Sequence, residues 1–221
     1  MHMTPEVWEI IWLSLKVTTT AILLGACAGI PLGAFLGLYS FPGKRLAVIL
    51  IYTCMGLPPV LVGVLVYLLL SRYGPLGSLG LLFTPEAMVI AQFVLVTPIL
   101  AGLTMSAVHS KERAYWETAK SLGASPWQLV ATIIREARKG IWAGVAAAYG
   151  RAISEVGAVM LVGGNIEHHT RVMTTAIILE TRMGNFSAGL QLGLVLLLIS
   201  FLFNSFLVSG VLQQLKNNGR R

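Results

Sequence analysis

Glu117-Thr118-Ala119-Lys120-Ser121-Leu122-Gly123-Ala124-Ser125-Pro126-Trp127-Gln128 is a polar interruption in a chain that is otherwise mostly compatible with lipid. Apolar residues run up to Val108 on one side of it and resume at Ile141 on the other. The intervening residues 109–140 are too charged to stay in hydrocarbon and too regular to be a slack loop. Residues 112–122 have a helix-forming composition. Ser125 is a good N-cap, Pro126 suits the first helical position, and Gln128 falls where it completes a capping box. Gly123 can take the left-handed conformation that ends a helix. The segment is therefore predicted as helix, sharp turn, helix. In the second helix Trp127, Val130, Ala131, Ile134 and Ala137 fall on one apolar face. Arg135, Arg138 and Lys139 gather toward its C-terminal end, where they suit the helix dipole and a membrane surface. Two readings follow. One is an amphipathic connector lying on the bilayer. The other is a docking element, because a short helix with small residues such as Thr118 and Ala119 inserts readily into a groove on a partner.

Outward from this stretch, the 221 residues are 56% hydrophobic and only 11% charged, against about 25% charged in soluble domains. With apolar runs near the length needed to cross hydrocarbon, this places the chain in the membrane class. Five spans are predicted, at 11–38, 46–70, 88–108, 141–162 and 187–212, in one all-α membrane domain over 1–221. The net charge is +7. Lys44, Arg45, Lys111, Arg113, Lys120, Arg135, Arg138, Lys139, Lys216, Arg220 and Arg221 fall on one side of these spans, and only Arg72, Arg171 and Arg182 on the other. The positive-inside rule then places the N-terminus outside and the C-terminus and residues 109–140 in the cytoplasm. It also accounts for the basic excess without nucleic acid. Residues 1–12 carry Glu6 and Glu9 but no Lys or Arg, so no secretory signal is read there. Cys27 and Cys54 sit inside apolar runs without metal spacing and read as small buried hydrophobes.

Within the first span Gly25, Gly29, Gly33 and Gly37 recur every four residues. A helix puts them on one face, where a neighbouring backbone can approach closely, although glycine is also simply common in membrane helices. Pro31 should bend this span. Gly56-Leu57-Pro58-Pro59 and Thr97-Pro98 lie near the middles of the second and third spans. Each proline removes a backbone donor and frees a carbonyl four residues back. Broken helices near the midplane line the substrate path in many transporters; a plain structural kink is the other reading. Arg151 and Glu155 lie four apart in the fourth span and share a face. They read either as a site that meets an anion or as a self-satisfied pair that braces the helix. Asn165 and Thr170 are placed to hydrogen-bond a ligand or an external partner, or to cap the segment from Thr174. His168-His169 lacks a third metal ligand nearby.

Glu117-Thr118-Ala119 followed by Gly123, with Ile133 ten residues after the glycine, resembles the signature of permease subunits of ATP-binding-cassette importers. The family usually continues with Leu-Pro where this chain has Arg135-Glu136. A second block, Gly150-Arg151-Ala152-Ile153-Ser154-Glu155-Val156-Gly157-Ala158 with Gly163-Gly164-Asn165-Ile166 and Thr170, resembles the molybdate, tungstate and sulfate branch. With Gly56-Leu57-Pro58-Pro59 and Thr174–Glu180, the resemblance is nearest to tungstate-type permeases and covers about Trp12 to Leu212. It implies a multi-pass permease of the cell membrane that moves an oxyanion inward, tungstate first and molybdate next. It implies Glu117, Thr118, Ala119 and Gly123 as contacts to a cytoplasmic ATPase dimer that carries the ATP and Mg, no cofactor on this chain, a second copy of the permease, and an external binding protein. Pro58, Pro59, Thr97, Pro98, Arg151, Ser154, Glu155, Asn165 and Thr170 are the implied candidates for the pathway or its gate. The chain contains no Gly-x-x-x-x-Gly-Lys-Ser/Thr phosphate loop, so ATP hydrolysis of its own is not expected. A stand-alone secondary transporter is the competing class. Against it, Glu155 is the lone candidate coupling acid and five spans do not form two equal halves. For an intramembrane enzyme, no span carries a Ser/His or paired-acid constellation.

Overall fold

The computed structural model describes residues 5–121 and 123–218, the side chains of 5, 112–121 and 208–218 excepted. Every regular element among them is helical: α1 (Pro5–Leu38), α2 (Lys44–Met55), α3 (Pro59–Leu70), a short 3₁₀ turn (Gly77–Leu79), α4 (Pro85–Ser121), α5 (Pro126–Ile153), α6 (Gly157–Gly163), α7 (Met173–Arg182) and α8 (Phe186–Asn218). Three helices are long and apolar enough to cross a membrane, over Glu6–Leu38, Pro85–Lys111 and Phe186–Leu207. Two bent pairs bring the number to five: α2 with α3, bent by 99°, and α5 with α6, bent by 55°.

The α1–α4 seam organises the bundle. Gly25, Gly29, Gly33 and Gly37 are all buried, facing Val96, Thr97, Ala101 and Val108 in that order. Both series ascend together, so α1 and α4 run parallel. Cβ atoms at Gly29 and Gly37 would stand 2.7 Å from the Thr97 carbonyl oxygen and 2.9 Å from Val108 Cγ1. Only a helix face without side chains lets the axes come this close. The start of α1 thus lies at one end of the bundle, and the 122–125 turn after α4 lies at the other. The first turns of α8 lie beside Glu6 and Ile10 of α1, so the chain enters α8 at the α1 end and leaves it toward the turn.

α2 ends at Met55 and α3 starts at Pro59, with Pro58 extended at φ −61°, ψ 126° as its N-cap. Two consecutive prolines cannot continue an α-helix from its interior, but the second suits the first turn of a new one. The apolar run 46–70, expected as one broken span, is thus two helices meeting almost at a right angle. Their second halves pair: a Cβ on Gly63 would stand 2.8 Å from Ala158 Cα, and one on Gly157 would stand 2.8 Å from Val60 Cγ2. α3 and α6, the far arms of the two bent pairs, therefore cross in direct contact.

At the turn end, Ala34, Leu38 and Val108 pack with Leu129, Ile133 and Ala137. This corrects the expected face of α5 in part: Ala137 is buried and Val130 packs against the cluster as expected, but Leu129 and Ile133 complete the stripe. Leu129, Ile133 and Ala137 turn inward, whereas Trp127 is 79% exposed and Ile134 also faces out. Apolar residues surround this stretch of helix, and the position of α1 and α4 decides which stripe is covered. Cys27 and Cys54 likewise are exposed and half-buried rather than buried. In a membrane bundle the outward face is apolar too, as Leu194, Leu197 and Phe201 along α8 illustrate.

Candidate functional site

The residues that carry charge inside the bundle meet where α5 gives way to α6. No proline causes this break. Ser154 caps α5, its hydroxyl donating to the carbonyls of Gly150 at 2.9 Å and Arg151 at 3.2 Å. Glu155 follows, 4% exposed. Its Oε1 accepts from the Ala158 amide at 3.1 Å, satisfying a donor at the start of α6. Its Oε2 accepts from Arg151 Nη1 at 2.7 Å, and its main-chain carbonyl accepts from Thr174 Oγ1 at 2.9 Å. The chain thus leaves its helix because side chains take over the hydrogen bonds that the backbone gives up.

The pair is lopsided. The Glu155 side chain is 3% exposed and the Arg151 side chain 43%. A buried carboxylate is held in place, while part of the guanidinium stays open. Glu155 neutralises Arg151 overall, so this open face attracts an anion weakly, through its free N–H groups, and holds it less tightly than an unpaired arginine would.

The structure brings Pro58 and Pro59 to this place as well. A Cβ added at Gly157 would stand 3.7 Å from Glu155 Oε1 and 3.6 Å from the Val60 amide nitrogen, immediately after the double proline. The breaks of both bent pairs are therefore neighbours. Thr97 and Pro98 belong elsewhere, on the α1–α4 seam. Thr97 Oγ1 donates to the Phe93 carbonyl at 2.7 Å, and the Thr97 carbonyl faces Gly29. Asn165 and Thr170 lie in the loop between α6 and α7. Asn165 has φ +52° and a buried Oδ1 with no partner. Thr170 is buried and holds the loop together: its hydroxyl donates to the Gly163 carbonyl and accepts the Ile166 amide at 2.9 Å. It does not cap α7, whose first turn is closed by Thr175, accepting from the Val172 amide at 3.1 Å.

That loop is tied to the start of α1. His168 Nδ1 lies 2.8 Å from Glu9, and Arg171 lies between Glu6 at 3.5 Å and Glu167 at 3.6 Å. The hydrogen bond and charge of Glu9 raise the His168 pKa above its ordinary value. Glu6, Glu9, His168 and Arg171 line an open cavity of about 330 Å³. Among the described residues no group of three or more His, Cys, Asp or Glu is placed to hold a metal.

At the opposite end, Gly123 has φ +75°, is exposed, and has nothing within 4 Å of an added Cβ. The capping box is formed: the Ser125 amide donates to Gln128 Oε1 at 2.9 Å, and the Gln128 amide to Ser125 Oγ at 3.4 Å. The side chains of Glu117, Thr118 and Ala119 lie outside the described residues. Gln92 was not singled out from the sequence. It is 4% exposed and donates Nε2 to the Ala152 carbonyl at 3.1 Å, at the end of α5. A lone amide in the apolar run 88–108 is the signal that could have found it.

Residues 29–212 match the family described as binding-protein-dependent transport system inner membrane component. The tungstate uptake system permease protein TupB of Peptoclostridium acidaminophilum is 46% identical over 205 residues, covering 93% of this chain and 90% of that protein. A probable anion ABC transporter permease protein of Haloferax volcanii is 46% identical over 189 residues, covering 83% and 82%. Among solved structures, an inward-facing MetNI methionine ABC transporter shares the fold with a TM-score of 0.73 at 18% identity, covering 94% of this chain and 98% of that one.

Proposed function

The chain belongs to the family of binding-protein-dependent transport system inner membrane components, multi-pass proteins of the cell membrane, and from that premise we propose that it is the membrane subunit of an ABC importer for an oxyanion, tungstate first and molybdate next. The similarity to the tungstate permease, 46% over 93% of the chain, carries this reading. In it, two copies of the chain face each other, an external binding protein delivers the anion at the α1 end, and a cytoplasmic ATPase dimer holding ATP and Mg engages the turn at the other end. Residues 1–221 act as one permease domain, with the N-terminus outside and no nucleotide site of their own.

The geometry gives this reading a mechanism. α5 is a 28-residue helix, about 42 Å long at 1.5 Å per residue. It starts at the capped turn beside Gly123 and ends at the Arg151–Glu155 break. A displacement of the turn, through Gly123 and the neighbouring Glu117, Thr118 and Ala119, is passed along α5 to the place where both bent pairs break. There the open face of Arg151 meets the passing anion, with Ser154 beside Glu155 in the chain and Pro58 and Pro59 at the neighbouring break between α2 and α3. Glu155 keeps the attraction weak, and transit requires a site that releases as readily as it binds. Co-purification tests the partner. The wild-type chain should retain its ATPase, and a Glu117→Lys, Gly123→Pro double variant should lose it. Retention of the ATPase together with transport in the double variant would remove the docking role.

A further inference from the structure

The break between α5 and α6 is held from outside at two main-chain carbonyls, where regular helical hydrogen bonding lapses. On one flank, the Ala152 carbonyl in the last turn of α5 accepts from Gln92 Nε2 of α4 at 3.1 Å, besides the Glu155 amide at 3.1 Å. On the other, the Glu155 carbonyl accepts from the Thr174 hydroxyl of α7 at 2.9 Å. Gln92, Ala152, Glu155 and Thr174 are all buried, so solvent does not compete for either bond. Both donors sit on a fixed body. Gln92 lies one turn before Val96, which faces Gly25 across the α1–α4 seam. The first turn of α7 is tied to α1: the Met173 amide donates to Ser14 Oγ at 2.8 Å, and Ser14 Oγ donates in turn to the Ile10 carbonyl at 2.7 Å.

We propose that Gln92 and Thr174 are positioning residues, which clamp the break to the α1–α4 body and so aim the open face of Arg151 into the pathway. Arg151 directly precedes Ala152, and its guanidinium is bonded to Glu155 at 2.7 Å. Each member of the pair is therefore attached to a clamped carbonyl, Arg151 through the next residue and Glu155 through its own. The ion pair by itself fixes only how the two side chains sit relative to each other. Its direction within the bundle follows the main chain, and the clamps hold that main chain on both flanks. An amide and a hydroxyl are neutral donors, so they hold the chain without adding charge beside the pair. The clamp stands on the geometry alone; the aiming role rests on the reading of Arg151 as a contact of the passing anion.

The test uses the complete transporter in liposomes, with its ATPase and external binding protein, and tungstate as the transported probe. Thr174→Val keeps the shape of the side chain and removes the donor, whereas Thr174→Ser keeps the donor. Hydrogen exchange over residues 152–158, recorded without tungstate, reads the clamp. Thr174→Val should speed it about tenfold, the size expected for one buried neutral hydrogen bond, and Thr174→Ser should not. In transport, Thr174→Val should lower kcat about tenfold and leave KM for the loaded binding protein unchanged, because delivery precedes the contact with Arg151. Added to Arg151→Ala it should cause little further loss, since changes acting through one group are not additive. Gln92→Met should act in the same direction but more weakly, because the Ala152 carbonyl keeps the Glu155 amide; should that variant not fold, the two Thr174 variants decide alone. Unchanged exchange in Thr174→Val overturns the clamp, whatever the chain transports. Faster exchange with unchanged kcat, or an equal loss in the Arg151→Ala background, overturns the aiming role. A wild-type complex that moves no tungstate overturns the transport reading and the aiming role with it, and exchange still decides the clamp.

Discussion

Replacing Gly33 by alanine tests how the bundle is held together. A Cβ at this position meets the Ala101 carbonyl oxygen, and lies 2.8 Å from Thr104 Cβ and 3.0 Å from the Ala101 carbonyl carbon. Two of these three atoms are backbone of α4, fixed by its own hydrogen bonds, so relief requires the two longest helices to separate. Overpacking of this kind costs about 1–3 kcal/mol. Gly193 in α8 has nothing within 4 Å of an added Cβ and serves as the control. Both substitutions gain about 1 kcal/mol of helix propensity, which cancels in the comparison. Gly25→Ala is intermediate, because its Cβ meets side chains rather than backbone, Val96 Cγ2 at 2.7 Å and Leu100 Cδ1 at 3.3 Å. The assay is thermal unfolding of the purified chain in one detergent. At about 2–4 °C per kcal/mol for a chain of this size, Gly33→Ala should melt roughly 2–12 °C below Gly193→Ala, with Gly25→Ala between them. A Gly33→Ala variant that melts at or above Gly193→Ala refutes the close α1–α4 seam.

Arg151→Ala leaves the buried Glu155 carboxylate with only the Ala158 amide as a side-chain partner; loss of the charged hydrogen bond costs up to about 1.5–3 kcal/mol, reduced by solvent at the open Arg151 side. Adding Glu155→Gln should recover part of the lost melting temperature, and a double variant no better than the single would count against the pair. His168 should titrate above the ordinary value of about 6.5, because Glu9 favours its charged form. Its folded pKa is the raised one, so the tie between the loop and α1 is fully present below about 6.5 and is lost as pH rises through the folded value; an NMR titration checks this, with Glu9→Gln expected to bring the midpoint back down. Ser125→Ala removes the hydroxyl half of the capping box and should cost about 1 kcal/mol, seen as faster hydrogen exchange in the first turn of α5. Gly123→Ala, with φ +75° and no steric neighbour, should cost about 1–2 kcal/mol through backbone strain alone.

Features written in local chemistry were legible from the sequence. The four-residue glycine spacing describes the face that α1 turns to α4, and Ser125 with Gln128 marks the start of α5 in the hydrogen bonds that form there. Hydropathy carries no direction, so the run 46–70 reads as one span although Pro58 and Pro59 turn it through 99°. The α5–α6 break was hidden for a different reason. It depends on the hydrogen bonds that the Ser154 hydroxyl donates and the Glu155 carboxylate accepts, and on Thr174, nineteen residues further on, none of which a propensity expresses. The inward face of α5 is legible only at Val130 and Ala137, because apolar residues lie on several of its sides and only the packed neighbours choose Leu129 and Ile133. Gln92, buried against the last turn of α5, has no local signature beyond one amide in an apolar helix.

The central claim is oxyanion import, and ATP hydrolysis by the assembled transporter addresses it most directly. The chain would be reconstituted in liposomes with its ATPase and external binding protein, and hydrolysis compared with tungstate, molybdate, sulfate and phosphate in turn. The account predicts the strongest stimulation by tungstate, with molybdate next. A transporter that responds best to phosphate or to a cation, or that hydrolyses ATP equally with and without any anion, contradicts it.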